Sequence, residues 1–114
     1  MNQEEFVDII KDVVIDESIK SIQSNLINPP GRKPMEMLIL ASKFYNSLND
    51  SDKSLIIQIV KESVRTGVWG FFCVLDGVRA IENDDKGELT LIYEKDGVKT
   101  LLNDSHKEFL HELL

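Results

Sequence analysis

The chain has 114 residues, 42% of them hydrophobic and 29% charged, which is enough for one domain with its own core and excludes wholesale disorder. Its net charge of −7 disfavours nucleic acids and anionic membranes as partners and permits a basic protein. The single cysteine excludes an internal disulfide, the start of the chain is acidic, and no apolar run reaches the roughly 20 residues that span a bilayer. We therefore expect 1–114 to form a single domain in the reducing cytoplasm.

The first predicted helix covers residues 3–25. Apolar side chains recur there at the spacing of one helix face, and the acids of the first turn suit the positive end of the helix dipole. This face consists of Phe6, Ile9, Ile10, Val13 and Val14. A second apolar patch, at Ile19, Ile22 and Leu26, either continues this helix or begins another one after Asp16.

A connector and a second helical region follow. Residues 28–34 contain three prolines and a glycine, which interrupt any helix. The next helix is predicted over 34–48, because Pro34 suits a first helical turn and the later apolar residues share one face. That face consists of Met35, Leu38, Ala41, Ser42, Tyr45 and Leu48. Either Asp50 or Ser51 is expected to cap the helix that comes next.

The longest predicted helix, over 52–75, is expected to lie at the centre of the domain, since apolar residues surround its last turns. Gly67 and Gly70 each disfavour a helix by up to about 1 kcal/mol relative to alanine, so we expect another backbone to approach them closely. Cys73 lies within the apolar run and is predicted to be a buried thiol. Gly77 is expected to end the helix.

The remainder of the chain is predicted to be mainly β-structure. Residues 78–81 form either a short strand or a loop, 83–87 have the composition of a turn, and 88–94 are rich in strand formers. Asp104 or Ser105 is expected to cap a short final helix.

A hairpin is predicted around Asp96-Gly97, a dipeptide typical of two-residue turns. With that turn, Glu94 lies opposite Lys99, and apolar residues oppose apolar residues, as in stable cross-strand pairs. The other pairs are Lys95 with Val98, Tyr93 with Thr100, Ile92 with Leu101, and Leu91 with Leu102.

These elements predict an α+β fold. Three to four helices surround the long central helix and pack on a small antiparallel sheet of two to three strands near the C-terminus. We expect the whole to be compact, with an anionic exterior suited to docking rather than catalysis.

Catalytic and metal-binding patterns are missing from the sequence. His106 and His111 are five residues apart, which is not the spacing of a zinc-binding helix, and Cys73 lacks the basic neighbour of a reactive thiolate. Neither a nucleophile elbow nor a phosphate-binding glycine loop occurs. We therefore expect a protein that is not an enzyme and that uses no catalytic residue, cofactor or metal.

The candidate partner-binding residues are all acidic. Asp76 follows the last turn of the long helix, where a carboxylate opposes the dipole and needs a compensating partner. The compensating group could be Arg79, the nearest arginine in sequence, or alternatively Arg65 or Arg32. A ligand or a partner protein is a further alternative. The densest acidic patch lies in the turn that follows, where a basic partner would dock. Together the candidates are Asp76, Glu82, Asp84, Asp85 and Glu88.

About three quarters of the chain resembles small bacterial proteins, some of which are immunity proteins encoded beside polymorphic or contact-dependent toxins. The resemblance is carried by short motifs that are spread from the connector to the C-terminus. They are Pro29-Pro30-Gly31-Arg32-Lys33-Pro34, Phe44-Tyr45-Asn46-Ser47-Leu48, Leu75-Asp76-Gly77-Val78, Leu102-Asn103 and Leu110-His111. It implies a protein that binds a cognate toxin and blocks its active surface, and it transfers no role to individual residues.

The leading hypothesis is therefore a cytoplasmic immunity or antitoxin-like protein that neutralises a basic toxin, such as a nuclease, without catalysis. An alternative is a self-associating scaffold, in which Trp69 and Phe72 form the seam of a homodimer. A third class is an enzyme or small-ligand binder with a pocket near Asp76.

Overall fold

The computed structural model describes residues 1–84 and 86–114. It contains five α-helices within that part of the chain, one π-helical segment and a two-stranded antiparallel sheet, which confirms the α+β class. The elements in order are α1 (Gln3–Ile10), the π-helical segment (Lys11–Asp16), α2 (Glu17–Ile27), α3 (Glu36–Ser47), α4 (Asp50–Leu75), β1 (Ile92–Lys95), β2 (Val98–Leu101) and α5 (Leu110–Leu113).

The N-terminal region is one continuous helix. Asn2 caps it by accepting a hydrogen bond from the backbone N–H of Glu5, and the backbone at Asp16 stays helical. The wider turn of the π-helical segment shifts the residues within it relative to a regular helix. Ile15 in this segment is buried, whereas Val13 and Val14 are exposed. The predicted face was therefore wrong at Ile9, Val13 and Val14, all of them exposed, since Val7 and Ile15 take the core positions.

Helix α3 buries the face that the sequence predicts, with Ser42 and Tyr45 buried. The helix begins two residues later than expected, and Met35 lies exposed before its first turn. The amide of Asn46 donates a hydrogen bond of 3.0 Å to the carbonyl of Ile27, and so satisfies one of the free carbonyls at the end of α2.

Helix α4 is confirmed over almost the predicted length. Asn49, rather than Asp50 or Ser51, is its cap and accepts a hydrogen bond from the backbone N–H of Asp52. At the other end Gly77 has a φ of +77°, which a left-handed helix terminator requires, and Cys73 is buried as predicted.

The expectation of a close backbone at two glycines of α4 was wrong. A Cβ atom added at Gly67 would meet nothing within 4 Å, so open space surrounds this position. A Cβ atom at Gly70 would lie 2.6 Å from Nη1 of Arg79, so a side chain and not a backbone approaches there.

The hairpin has the predicted register. Glu94 pairs with Lys99, and the three other pairs within the strands also match. Asp96 and Gly97 both have positive φ values, of 52° and 77°, as a type I′ turn demands. Residues 78–81, all of them described, form no strand, and β1 begins only at Ile92.

The core lies where three helices meet. Val7 from α1, Phe72 from α4 and Leu110 from α5 are buried together. Half-buried apolar residues surround them, namely Phe6, Ile10, Val68, Leu75, Leu91, Leu113 and Leu114. The last helix begins at Leu110, later than predicted, because the carboxylate of Asp104 accepts the N–H of His106 in a local turn instead of capping a helix.

The molecule is less compact than expected. Its radius of gyration is 18.3 Å, whereas a globular chain of this length has about 13 Å. Its principal extents are 50 × 37 × 28 Å. Within the described residues, no helix combines the length and the apolar character that crossing a bilayer would require.

Candidate functional site

The candidate site is the loop that joins α4 to the hairpin, here called the acidic loop (residues 77–90). Every described residue in it is exposed, and none of them belongs to a helix or strand. Loops of this length without regular structure are uncommon in small domains and usually carry function. The loop is therefore the first place to look for a binding surface.

Asn103 holds the two ends of the acidic loop together. Its side-chain amide donates hydrogen bonds to the carbonyls of Leu75, at 2.7 Å, and Leu89, at 2.8 Å. Its side-chain oxygen accepts the N–H of Leu91 at 2.8 Å. Further out, a carboxylate oxygen of Glu82 accepts the N–H of Gly87 at 2.9 Å. These bonds restrain the backbone of the loop, although all of its described residues are exposed.

The acidic loop exposes both acidic and apolar side chains. Glu82, Asp84 and Glu88 are exposed carboxylates, and they are flanked in sequence by large exposed apolar side chains, at Val78, Ile81 and Leu89. Asp85, the remaining acid predicted for this patch, lies outside the described residues. Arg79 and Lys86 are exposed in the same loop, so its described part carries three acids against two bases. Exposed apolar groups beside an excess of acids are suited to a protein partner of opposite charge.

Asp76 lies at the base of the loop but faces inward. Its carboxylate is 1% exposed and accepts the N–H groups of Leu110 and His111 at 3.0 and 2.9 Å. Its second oxygen also lies 2.7 Å from Nδ1 of His111. The carboxylate therefore caps α5 and joins it to α4. It presents no surface to a partner in this conformation, which separates it from the other candidate acids.

The compensating group of Asp76 is thus His111 rather than an arginine. Arg79, the nearest arginine in sequence, lies over the ring of Trp69, with 5.6 Å between its guanidinium carbon and the ring centroid. The imidazole of His111 stacks on Phe109 and meets the edge of Trp69. Trp69, Phe109 and His111 therefore form an aromatic cluster near the C-terminal end of α4.

A paired aspartate and histidine also occur in catalytic triads, where the aspartate orients the imidazole for a nucleophile. Among the described residues, no hydroxyl or thiol hydrogen-bonds to the imidazole of His111. Nor does any group of three potential metal ligands occur in that part of the chain. The arrangement serves to hold two helices together, and its geometry supplies no nucleophile.

A cavity lies between the end of α4 and the acidic loop, beside Asp76, where the sequence suggested a pocket. Its volume is about 130 Å³, and its lining includes Asp76, Arg79, Glu82 and Asn103. Pockets for small organic ligands measure about 300–1,000 Å³. The cavity is therefore smaller than such sites.

The predicted homodimer seam of Trp69 and Phe72 does not exist as one surface. Phe72 is buried, and its ring lies 6.1 Å from that of Phe6 inside the core. Trp69 is exposed in part, and it contacts Arg79 and His111 of the same chain. The two aromatic side chains therefore lie in different environments and do not form a common surface.

Sequence reasoning missed the roles of Asn103 and His111. The only available signal was that both residues belong to short motifs singled out in the sequence, Leu102-Asn103 and Leu110-His111. The structure brings these two dipeptides to Leu75-Asp76 at the end of α4. Asn103 is 28 residues from Leu75 and His111 is 35 residues from Asp76, so no local periodicity connects them.

No protein-family model, curated protein or solved structure matches this chain. The comparisons therefore assign it to no family, and they add no residue roles to those found in the structure.

Proposed function

We propose that this chain is a non-enzymatic, immunity or antitoxin-like protein of the bacterial cytoplasm that binds a basic toxin through the acidic loop. Binding would occlude the active surface of the toxin. The observation that carries this proposal is the exposure of acidic side chains, flanked by apolar ones, on a loop whose two ends are joined by Asn103.

Electrostatics supports a basic partner. The chain carries a net charge of −7, and Glu82, Asp84 and Glu88 of its exposed loop outnumber the bases Arg79 and Lys86 there. Complementary charge raises the rate of association and selects partners of opposite sign. Many nuclease toxins have basic surfaces, since they bind the phosphates of nucleic acids.

The restrained base of the loop supports tight binding. Three hydrogen bonds of Asn103 and the bond between Glu82 and Gly87 limit the conformations of the free loop. A loop that is ordered before binding loses less entropy when it docks. The exposed side chains of Val78, Ile81 and Leu89 would supply the apolar contact area of the interface.

The direct test is expression of the adjacent gene in bacterial cells, with and without this protein. We expect the adjacent gene alone to arrest growth and co-expression to restore it. Equal growth in the two cultures would contradict the proposal, as would the absence of toxicity from the adjacent gene product.

A pair of charge reversals tests the acidic loop itself. Asp84→Lys with Glu88→Lys should weaken binding to the toxin by about tenfold or more and reduce its dependence on salt. The matched control is Glu17→Lys with Glu62→Lys, which changes the net charge equally at exposed positions of two helices. Calorimetric affinities that fall equally for both pairs would show that net charge, and not the loop, determines binding.

A further inference from the structure

Helix α3 carries an apolar face that the chain itself does not cover. Met37, Leu40 and Phe44, here called the α3 stripe, are 62%, 58% and 60% exposed. They recur at intervals of three and four residues, so they share one side of the helix. The other side, with Ser42 and Tyr45, is buried in the fold. A helix that is apolar on both sides normally lies inside a protein.

The solvent-accessible area of the chain shows how much more surface it exposes than a monomeric globular protein of its mass. It exposes 8290 Å², whereas a monomeric globular protein of 13.0 kDa exposes about 6,300 Å². The excess is about 2,000 Å². Each subunit of an obligate homodimer buries about 1,000–2,500 Å². We propose that a second copy of this chain covers the α3 stripe and that the protein is a stable homodimer.

The charges around the α3 stripe favour a second copy over the basic toxin. Residues 31–48 contain Arg32, Lys33 and Lys43 against the single acid Glu36. This region is therefore basic within a chain of net charge −7. A basic partner would be repelled here, while an acidic one would be attracted.

A second copy offers such an acidic and apolar surface on its N-terminal helix. Ile9 and Val13 are exposed there beside the carboxylates of Asp8 and Asp12. In a dimer with two-fold symmetry, a contact between the α3 stripe and this helix occurs twice. The same chain thus supplies both halves of a complementary interface.

Sedimentation equilibrium of the full chain at micromolar concentrations tests the dimer. We expect a mass twice the 13.0 kDa of one chain for the wild type. Leu40→Glu with Phe44→Glu should raise the dissociation constant by at least about a hundredfold. The control is Leu55→Glu with Ile59→Glu on α4, where the side chains are 59% and 54% exposed, and it should remain dimeric.

Every outcome of this comparison decides the proposal. Unfolding of the α3 variant alone supports it, because replacing exposed residues leaves a true monomer folded. A monomeric wild type contradicts it, as does a folded dimer of the α3 variant. If the control also dissociates or unfolds, the assignment of the interface to α3 is wrong.

Methionine oxidation tests the same surface in the wild-type protein. In an isolated chain Met37, at 62% exposed, should react with dilute peroxide faster than Met1, at 38%. In the dimer Met37 is covered and should react several-fold more slowly than Met1, as measured by peptide mass spectrometry. Faster oxidation of Met37 would contradict the dimer.

The dimer proposal and the toxin-binding proposal can be disproved independently of each other. Asp84→Lys with Glu88→Lys alters the acidic loop and should remain dimeric in the sedimentation experiment. Dissociation of this variant would place the subunit contact on the loop and contradict the assignment to α3, whatever its effect on the toxin.

Discussion

The two ends of α4 differ in how the rest of the chain surrounds them. In the last turns, Gly70, Phe72 and Cys73 are buried beneath α1, α5 and the turn that follows the helix. In the preceding, longer part, 50–69, every residue is described and none is fully buried. One amphipathic helix thus lies in a closed core at one end and beside an open apolar surface at the other.

The closed end is held by polar side chains that join distant parts of the chain. Gln3 donates to the carbonyl of Glu108 at 2.6 Å and accepts the N–H of Asp104, so the first helix is tied to the C-terminal segment. Asp76 and Asn103 add the bonds to α5 and to the loop. This chain therefore completes its core at the C-terminal end of α4 and leaves the earlier part of that helix only partly covered.

The variant expected to lose the most stability tests the position of the core. Phe72→Ala should lower the free energy of unfolding by about 3–5 kcal/mol, because it leaves a cavity between Val7 and Leu110. Urea denaturation at a fixed protein concentration measures this change. Phe71→Ala, an equal truncation of the exposed neighbouring residue, should stay within about 0.5 kcal/mol. Similar losses for both would show that Phe71 is covered as well.

A medium effect is expected where α5 is joined to α4. Asp76→Ala should cost about 3 kcal/mol, since the N–H groups of Leu110 and His111 and the imidazole all lose their acceptor. His111→Ala should cost less, because the carboxylate keeps both backbone bonds. A double-mutant cycle in urea should give a coupling of about 1 kcal/mol. Purely additive losses would contradict a direct contact between the two side chains.

The smallest change in stability, here a gain, is expected for the glycines of α4. Gly67→Ala should stabilise the protein by up to about 1 kcal/mol, because open space surrounds this position in the helix. Gly70→Ala should gain less, since its Cβ would displace the guanidinium of Arg79 from Trp69. Thermal denaturation ranks the two variants. Destabilisation by Gly67→Ala would mean that another surface packs against α4 there.

Local sequence patterns predicted the elements whose signals lie within a few residues. The register of the hairpin followed from the positive φ values that Asp96-Gly97 accepts and from matched cross-strand pairs. The length of α4 and the inner face of α3 followed from helical periodicity. The exposed acids of the loop were predicted as a patch, but the role of Asn103 in holding it was not.

Neighbours along the chain were enough to predict the α+β class, the order of the helices, the termination of α4 by Gly77 and the pairing of the hairpin. Three features appeared only once the chain was folded: Ile15 replaces Val14 in the core, Asp76 turns inward to His111, and no part of the chain covers the α3 stripe. These features depend on contacts between distant segments, and local periodicity does not specify such contacts. They also depend on the number of residues available to cover each apolar face.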